Sequence, residues 1–132
     1  MAQSSLIKKL RIKPGQRITI MNAPPGYLEQ LGDLPEGVEL ADEPEGTCDF
    51  VHLFVKSIAE IERFGPAAIR AVKYDGLLWI SYPKRSSKVE TDISRDVGWD
   101  VINEAGLRAV TQVSIDDVWS ALRFRPSDRV RK

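Results

Sequence analysis

Several things this chain has little of narrow its chemistry before any motif is read. It has one cysteine, Cys48, so no disulfide forms within it, and a lone thiol fits a reducing compartment. It has one histidine, His52. One cysteine and one histidine do not build a zinc site alone, so no metal is expected. No apolar run approaches the roughly 20 residues of a membrane span. The first ten residues carry two lysines but no apolar core of signal-peptide length. A cytoplasmic address without a membrane partner is therefore expected. Charge of one sign is missing as well, with 19 Lys and Arg against 19 Asp and Glu. A nucleic-acid binder usually carries a basic excess, so no nucleic-acid partner is expected. The glycine spacing of a P-loop, internal repeats and low-complexity segments are absent too.

What remains is 132 residues of ordinary globular composition, enough for one domain over 1–132 with a sizeable core. Residues 1–12 read as an N-terminal arm, with Leu6, Ile7 and Leu10 at helical spacing. Residues 126–132 read as a flexible, charged tail. Strands are predicted over 17–21, 38–41, 50–55, 76–82, 109–115 and 118–124, from runs rich in β-branched and aromatic residues. A short helix is predicted over 27–31. A longer one opens at Ser57, whose Ser-x-x-Glu spacing with Glu60 is that of a capping box. Gly65-Pro66 predicts a kink or restart in it, and Tyr74-Asp75-Gly76 its stop. A further helix is expected from a cap at Thr91 or Asp92, with Ile93, Val97, Val101 and Ala105 on one face. Strands alternating with helices imply an α/β domain of three layers: a mostly parallel sheet of about six strands, helices on both faces. The turn at Asp116-Asp117 is too tight for a crossover, so the C-terminal strand pair is antiparallel.

The run Leu77-Leu78-Trp79-Ile80 fits a strand buried on both faces. It passes through Pro83 into Lys84, Arg85, Ser86, Ser87 and Lys88. Ligands of open α/β sheets bind beyond the carboxyl ends of the strands. Cations and hydroxyls before a helix N-terminus favour an anion. These five residues and Asn22, after the first strand, are therefore the candidate anion-binding residues. The ordinary alternatives are a solvated loop and an asparagine capping the Pro24-Pro25 turn. Asp116 and Asp117 read as ion-pair partners for the loop cations rather than a paired-carboxylate site. His52, inside an apolar strand, reads as a hydrogen-bonded core histidine. Trp79, Trp99 and Trp119 read as packing residues, with Trp99 the one on a different helix face and a candidate interface residue. No catalytic residue is assigned.

The order of elements resembles a shortened class I methyltransferase, a Rossmann-like fold. Lys13-Pro14-Gly15-Gln16-Arg17-Ile18 matches the entry to its first strand, residues 49–55 its central strand and residues 76–83 its fifth strand. More narrowly, Asn22-Ala23-Pro24-Pro25-Gly26-Tyr27, Tyr82-Pro83-Lys84-Arg85-Ser86-Ser87 and Asp116-Asp117-Val118-Trp119-Ser120-Ala121 resemble a family of short bacterial proteins of unknown function. The methyltransferase resemblance implies S-adenosylmethionine as cofactor, with Asp42 or Glu43 facing its ribose hydroxyls. The departures imply the reverse. A loop with two prolines stands where glycines let backbone approach the ligand, and one strand–helix unit is missing before the central strand. No cofactor is expected. The leading expectation is a small domain without catalysis that binds an anionic small molecule or a protein partner at the strand C-terminal edge. The alternatives are a minimal S-adenosylmethionine-dependent methyltransferase and a structural or oligomerising module.

Overall fold

The computed structural model describes residues 5–41 and 48–130. The elements are α1 (Ser5–Leu10), β1 (Arg17–Met21), α2 (Tyr27–Leu31), β2 (Glu39–Leu40), β3 (Cys48–Phe54), α3 (Ile58–Ala71), β4 (Val72–Pro83), α4 (Asp100–Glu104), β5 (Leu107–Ser114) and β6 (Trp119–Pro126), followed by a 3₁₀ turn at Ser127–Arg129. One six-stranded sheet runs in the order β2-β1-β3-β4-β6-β5. β2, β1, β3 and β4 are parallel, and β6 pairs antiparallel with both β4 and β5. The expected fold class is the observed one. Residues 41–47 link β2 to β3, too few for another strand and helix. Asp42 and Glu43 lie outside the described residues.

Alternation along the strands sorts side chains to two faces. Val51 and Leu53 of β3, Val55 just beyond it, and Leu78, Ile80 and Tyr82 of β4 form one core with Ile61, Ala68 and Ala71 of α3 and Ile102 of α4. Phe50, Phe54, Trp79, Trp119 and Ala121 form the other with Leu6, Ile7 and Leu10 of α1 and Tyr27 and Leu31 of α2. The N-terminal arm is thus a buried wall of the second core, and the Trp79 indole donates to Leu10 O at 3.0 Å.

Four local expectations fail for identifiable reasons. α3 runs unbroken through Pro66. Pro66 and Glu62 are both exposed, so the carbonyl that loses its amide partner there faces water. Tyr74-Asp75-Gly76 does not separate α3 from β4. It is a bulge inside β4, between the pairs Cys48↔Val72 and Phe50↔Leu77. Asp75 takes φ 56° there and accepts from Nε and Nη2 of Arg125, each at 2.9 Å. A Cβ on Gly76 would lie 2.8 Å from the Val72 side chain and 3.2 Å from Asp49 O, so the bulge requires glycine. The helix expected from Thr91 or Asp92 is absent, and α4 covers only Asp100–Glu104. The segment expected to fray is tied down over its described part, through Tyr74–Asp128 (2.7 Å) and Arg129–Asp75 (3.3 Å).

Candidate functional site

Parallel pairing of β1, β3 and β4 brings their carboxyl ends, Met21, Phe54 and Pro83, to one edge. The residues just beyond them, Asn22, Lys56 and Lys84, rim that edge. A cavity of about 780 Å³ opens between the exits of β3 and β4. Its cationic side is Lys56, Lys84 and Arg85. Its other wall is residues 89–94, including Glu90, Asp92 and the hydroxyls of Thr91 and Ser94.

The sequence-predicted residues divide. Lys84 and Arg85 line this cavity. Lys84 is half-buried, and its ammonium donates to Ser114 Oγ at 2.6 Å. Arg85 is exposed. Ser87 serves the turn, since its hydroxyl donates to Lys84 O at 2.7 Å. Ser86 and Lys88 are exposed and are not among the lining residues of the cavity. Asn22 lines a separate cavity of about 340 Å³, bounded by Pro24, Pro25, Glu60 and Trp119, with Lys56 and Val89 on the wall between the two. Its amide donates to Phe54 O at 2.8 Å from a left-handed backbone, φ 56°. Asn22 thus ties the end of β1 to the end of β3, and Pro24 and Pro25, which lack amide hydrogens, stand where a phosphate-cradling loop needs donors. Lys56 escaped the sequence reading, although its place at the end of a buried strand marks it as it marks Lys84.

The helix N-terminus invoked for the anion is not the one observed. No helix opens at Thr91 or Asp92. The helix end beside the cavity is that of α3, since Ser57 is both its N-cap and a lining residue. Two of its amides are already taken: Glu60 N donates to Ser57 Oγ at 3.2 Å, and Ile58 N donates to Asp92 Oδ1 at 2.8 Å. The Glu60 carboxylate accepts from Lys56 N at 2.5 Å rather than from Ser57 N. Asp92 therefore caps a helix 34 residues upstream instead of starting its own. The expected ion pairs of Asp116 and Asp117 with the loop cations are likewise absent among the described residues. Asp116 Oδ1 accepts from Val118 N and Trp119 N at 2.8 and 2.9 Å, shaping the turn into β6.

The remaining reactive groups are sealed in. His52 is fully buried, with Nδ1 2.6 Å from Tyr27 Oη and Nε2 2.6 Å from Ser81 Oγ. A neutral ring donates through one nitrogen and accepts through the other, so this chain satisfies it in either tautomer. Burial lowers the His52 pKa to about 3 and raises that of Tyr27. Cys48 is buried, and desolvation pushes its thiol up. Trp99 is buried against Tyr82 and Phe124, and its indole donates to Ser94 O at 2.9 Å. It is a packing residue, and the exposed interface tryptophan is not observed. Among the described residues, no His, Cys, Asp and Glu cluster suited to a metal occurs, and no helix is long and apolar enough to cross a membrane.

No protein-family model and no curated protein matches the chain. Solved structures do. A SAM-dependent methyltransferase from Aquifex aeolicus superposes with TM-score 0.56 at 17% identity, covering 91% of this chain and 87% of its own. A possible tRNA (m1A22) methyltransferase of Streptococcus pneumoniae, solved with S-adenosyl-L-methionine, gives 0.53 at 11% identity over 95% and 73%. An NADB-Rossmann superfamily protein from Streptococcus agalactiae gives 0.53 at 11% identity over 96% and 69%. At such identities the likeness is one of fold, and this chain has a shortened, methyltransferase-like Rossmann fold.

Proposed function

We propose that this protein is a small binding module whose ligand is an anionic small molecule, held in the cavity between the exits of β3 and β4. The carrying observation is that Lys56, Lys84 and Arg85, from two adjacent strand ends, line one cavity of about 780 Å³. A binding role without catalysis is supported by the burial of His52, the chain's only histidine, away from that cavity. A cytoplasmic address belongs to the same proposal and is supported by the single free thiol.

The second reading, a minimal methyltransferase, is favoured by the fold of the neighbours alone. Against it stand Pro24 and Pro25 in the loop after β1 and the short link from β2 to β3. Thermal unfolding with sulfate, phosphate, nucleotides and S-adenosylmethionine separates the two, because a ligand of the native state raises its melting temperature by mass action. Sulfate or phosphate is expected to protect the wild type. Lys84→Ala with Arg85→Ala is expected to abolish that protection while changing the ligand-free stability by no more than about 0.5 kcal/mol. Protection unchanged in the double variant removes the site. A micromolar S-adenosylmethionine titration establishes the second reading instead.

A further inference from the structure

The zero net charge conceals a separation of charges along the chain. The first 17 residues hold five cations and no acid, while residues 27–62 hold ten acids and one lysine. The sheet order sets β2, from the acidic segment, at one edge and the β6–β5 pair at the other. α1 belongs to the basic N-terminal segment yet packs at the far end. Its Leu6, Ile7 and Leu10 share a core with Trp119 and Ala121 of β6, and Lys9 Nζ donates to Ser114 O at the end of β5, 3.4 Å away. β6 adds Arg123 and Arg125. Arg123 pairs in register with Trp79 and so stands on the same face as α1. Folding thus brings basic segments from both halves of the chain onto one surface.

The arginines there are not equivalent. Arg125 is held by Asp75. Arg123 has a buried Nε with no hydrogen-bond partner among the described residues. Arg17 Nε shares that condition but has Glu39 at 3.5 Å. Lys8, Lys9 and Arg11 are exposed, and of these Arg11 lies close enough to Arg123 for their charges to interact.

We propose that the face formed by Lys8, Lys9 and Arg11 of the α1 segment and Arg123 of β6 docks the phosphodiester backbone of a nucleic acid. Burial, together with the neighbouring cations Arg11 and Arg125, holds the Arg123 guanidinium below its ordinary pKa, as expected of like charges gathered without enough anion among them. A phosphate supplies that anion, and the planar guanidinium fork matches its oxygens. The composition of the surface selects this occupant. A protein partner wants an apolar centre, but of the exposed large hydrophobic residues only Val110 lies on β5 or β6. Distance removes the objection from neutrality. Four strand spacings of about 4.8 Å put the acidic edge strand β2 roughly 19 Å from β6, about two Debye lengths of about 8–10 Å each.

The test is fluorescence anisotropy with labelled single-stranded RNA of about 20 nucleotides, DNA of the same sequence and the DNA duplex, at about 50 mM salt and upward. The proposal expects binding that weakens with salt. It expects Lys8→Ala with Arg11→Ala to raise Kd at least about fivefold and to reduce the log–log salt slope by about 1.4–1.8, as for two lost phosphate contacts. Arg123→Lys, which keeps the charge and loses the fork, is expected to weaken binding in part. Arg70→Ala, exposed on α3 across the sheet from α1, is expected to leave it unchanged. Thermal melts establish that each variant is folded, and the ranking of RNA and DNA identifies the source of the backbone. Absence of binding at low salt overturns the proposal, as does binding indifferent to the Lys8 and Arg11 substitutions. Displacement by polyglutamate as effective as by nucleic acid overturns it in favour of an acidic polypeptide.

Discussion

β3 is buried on both sides, and its two sides are buried by different chemistry. Toward α3, Val51, Leu53 and Val55 join an aliphatic layer with Ile61 and Ala68. Toward α1 and α2, Phe50 and Phe54 flank His52, which Tyr27 and Ser81 hold through hydrogen bonds of 2.6 Å. The aliphatic side is stabilised by volume and area, so many side chains of the right size fit it. The polar side is tolerated only because both ring nitrogens are satisfied, since an unpaired buried polar group costs about 1–3 kcal/mol. The two sides should therefore answer to different perturbations: the first to lost methylenes, the second to protons.

The largest effect is expected on the aliphatic side. Leu53→Ala should cost about 2–5 kcal/mol in chemical denaturation, because Leu53 is fully buried. A loss below about 1 kcal/mol would show that this layer collapses around the gap, and the contrast between the sides would dissolve.

Next comes pH. His52 has a folded pKa of about 3 against an ordinary 6.5. Between these values the unfolded chain binds a proton that the folded protein refuses, so stability rises with pH across the window and is lost as pH falls from 6.5 toward 3. About 2 kcal/mol should disappear between pH 7 and pH 5 from this group. Urea midpoints at the two pH values measure it, and His52→Gln should flatten the difference. An equal pH slope in the variant would assign the loss to other groups.

The smallest effect concerns the start of α3. Asp92→Ala removes the carboxylate that accepts from Ile58 N and should cost about 1 kcal/mol, while Asp92→Asn should retain most of the cap. If alanine proved neutral by thermal melting, the long-range cap would be dispensable and α3 would be held by its Ser57 cap and its aliphatic face.

The sheet was legible because buried parallel strands write themselves as apolar runs, as in residues 50–55 and 77–80. The capping signal at Ser57 was legible because its partner lies three residues away. The stretch from Thr91 to Trp99 carries equally good local signs of a helix, yet forms none. A carboxylate before apolar residues indicates an acceptor suited to a helix amide, but says nothing of which helix. Asp92 found the amide of Ile58. Gly65-Pro66 and Tyr74-Asp75-Gly76 were read as breaks for the same reason. Solvent at Pro66 and the arginine at Asp75 are supplied by the surroundings, not by neighbours in sequence.

At the candidate site, Lys84 and Arg85 were found from a strand's end, while Lys56 and Asp92 became neighbours only through pairing of β3 with β4 and the path of the loop beyond. By itself, the sequence determined the strands, their largely parallel sense, the antiparallel final pair and the burial of His52, because each rests on periodicity or on the chemistry of adjacent residues. Only the tertiary structure decided which cations share a cavity, which amide Asp92 caps and that a neutral chain carries a basic end. Charges add along a sequence without regard to place, but their fields weaken with distance and salt, so where the fold sets them decides what they can hold.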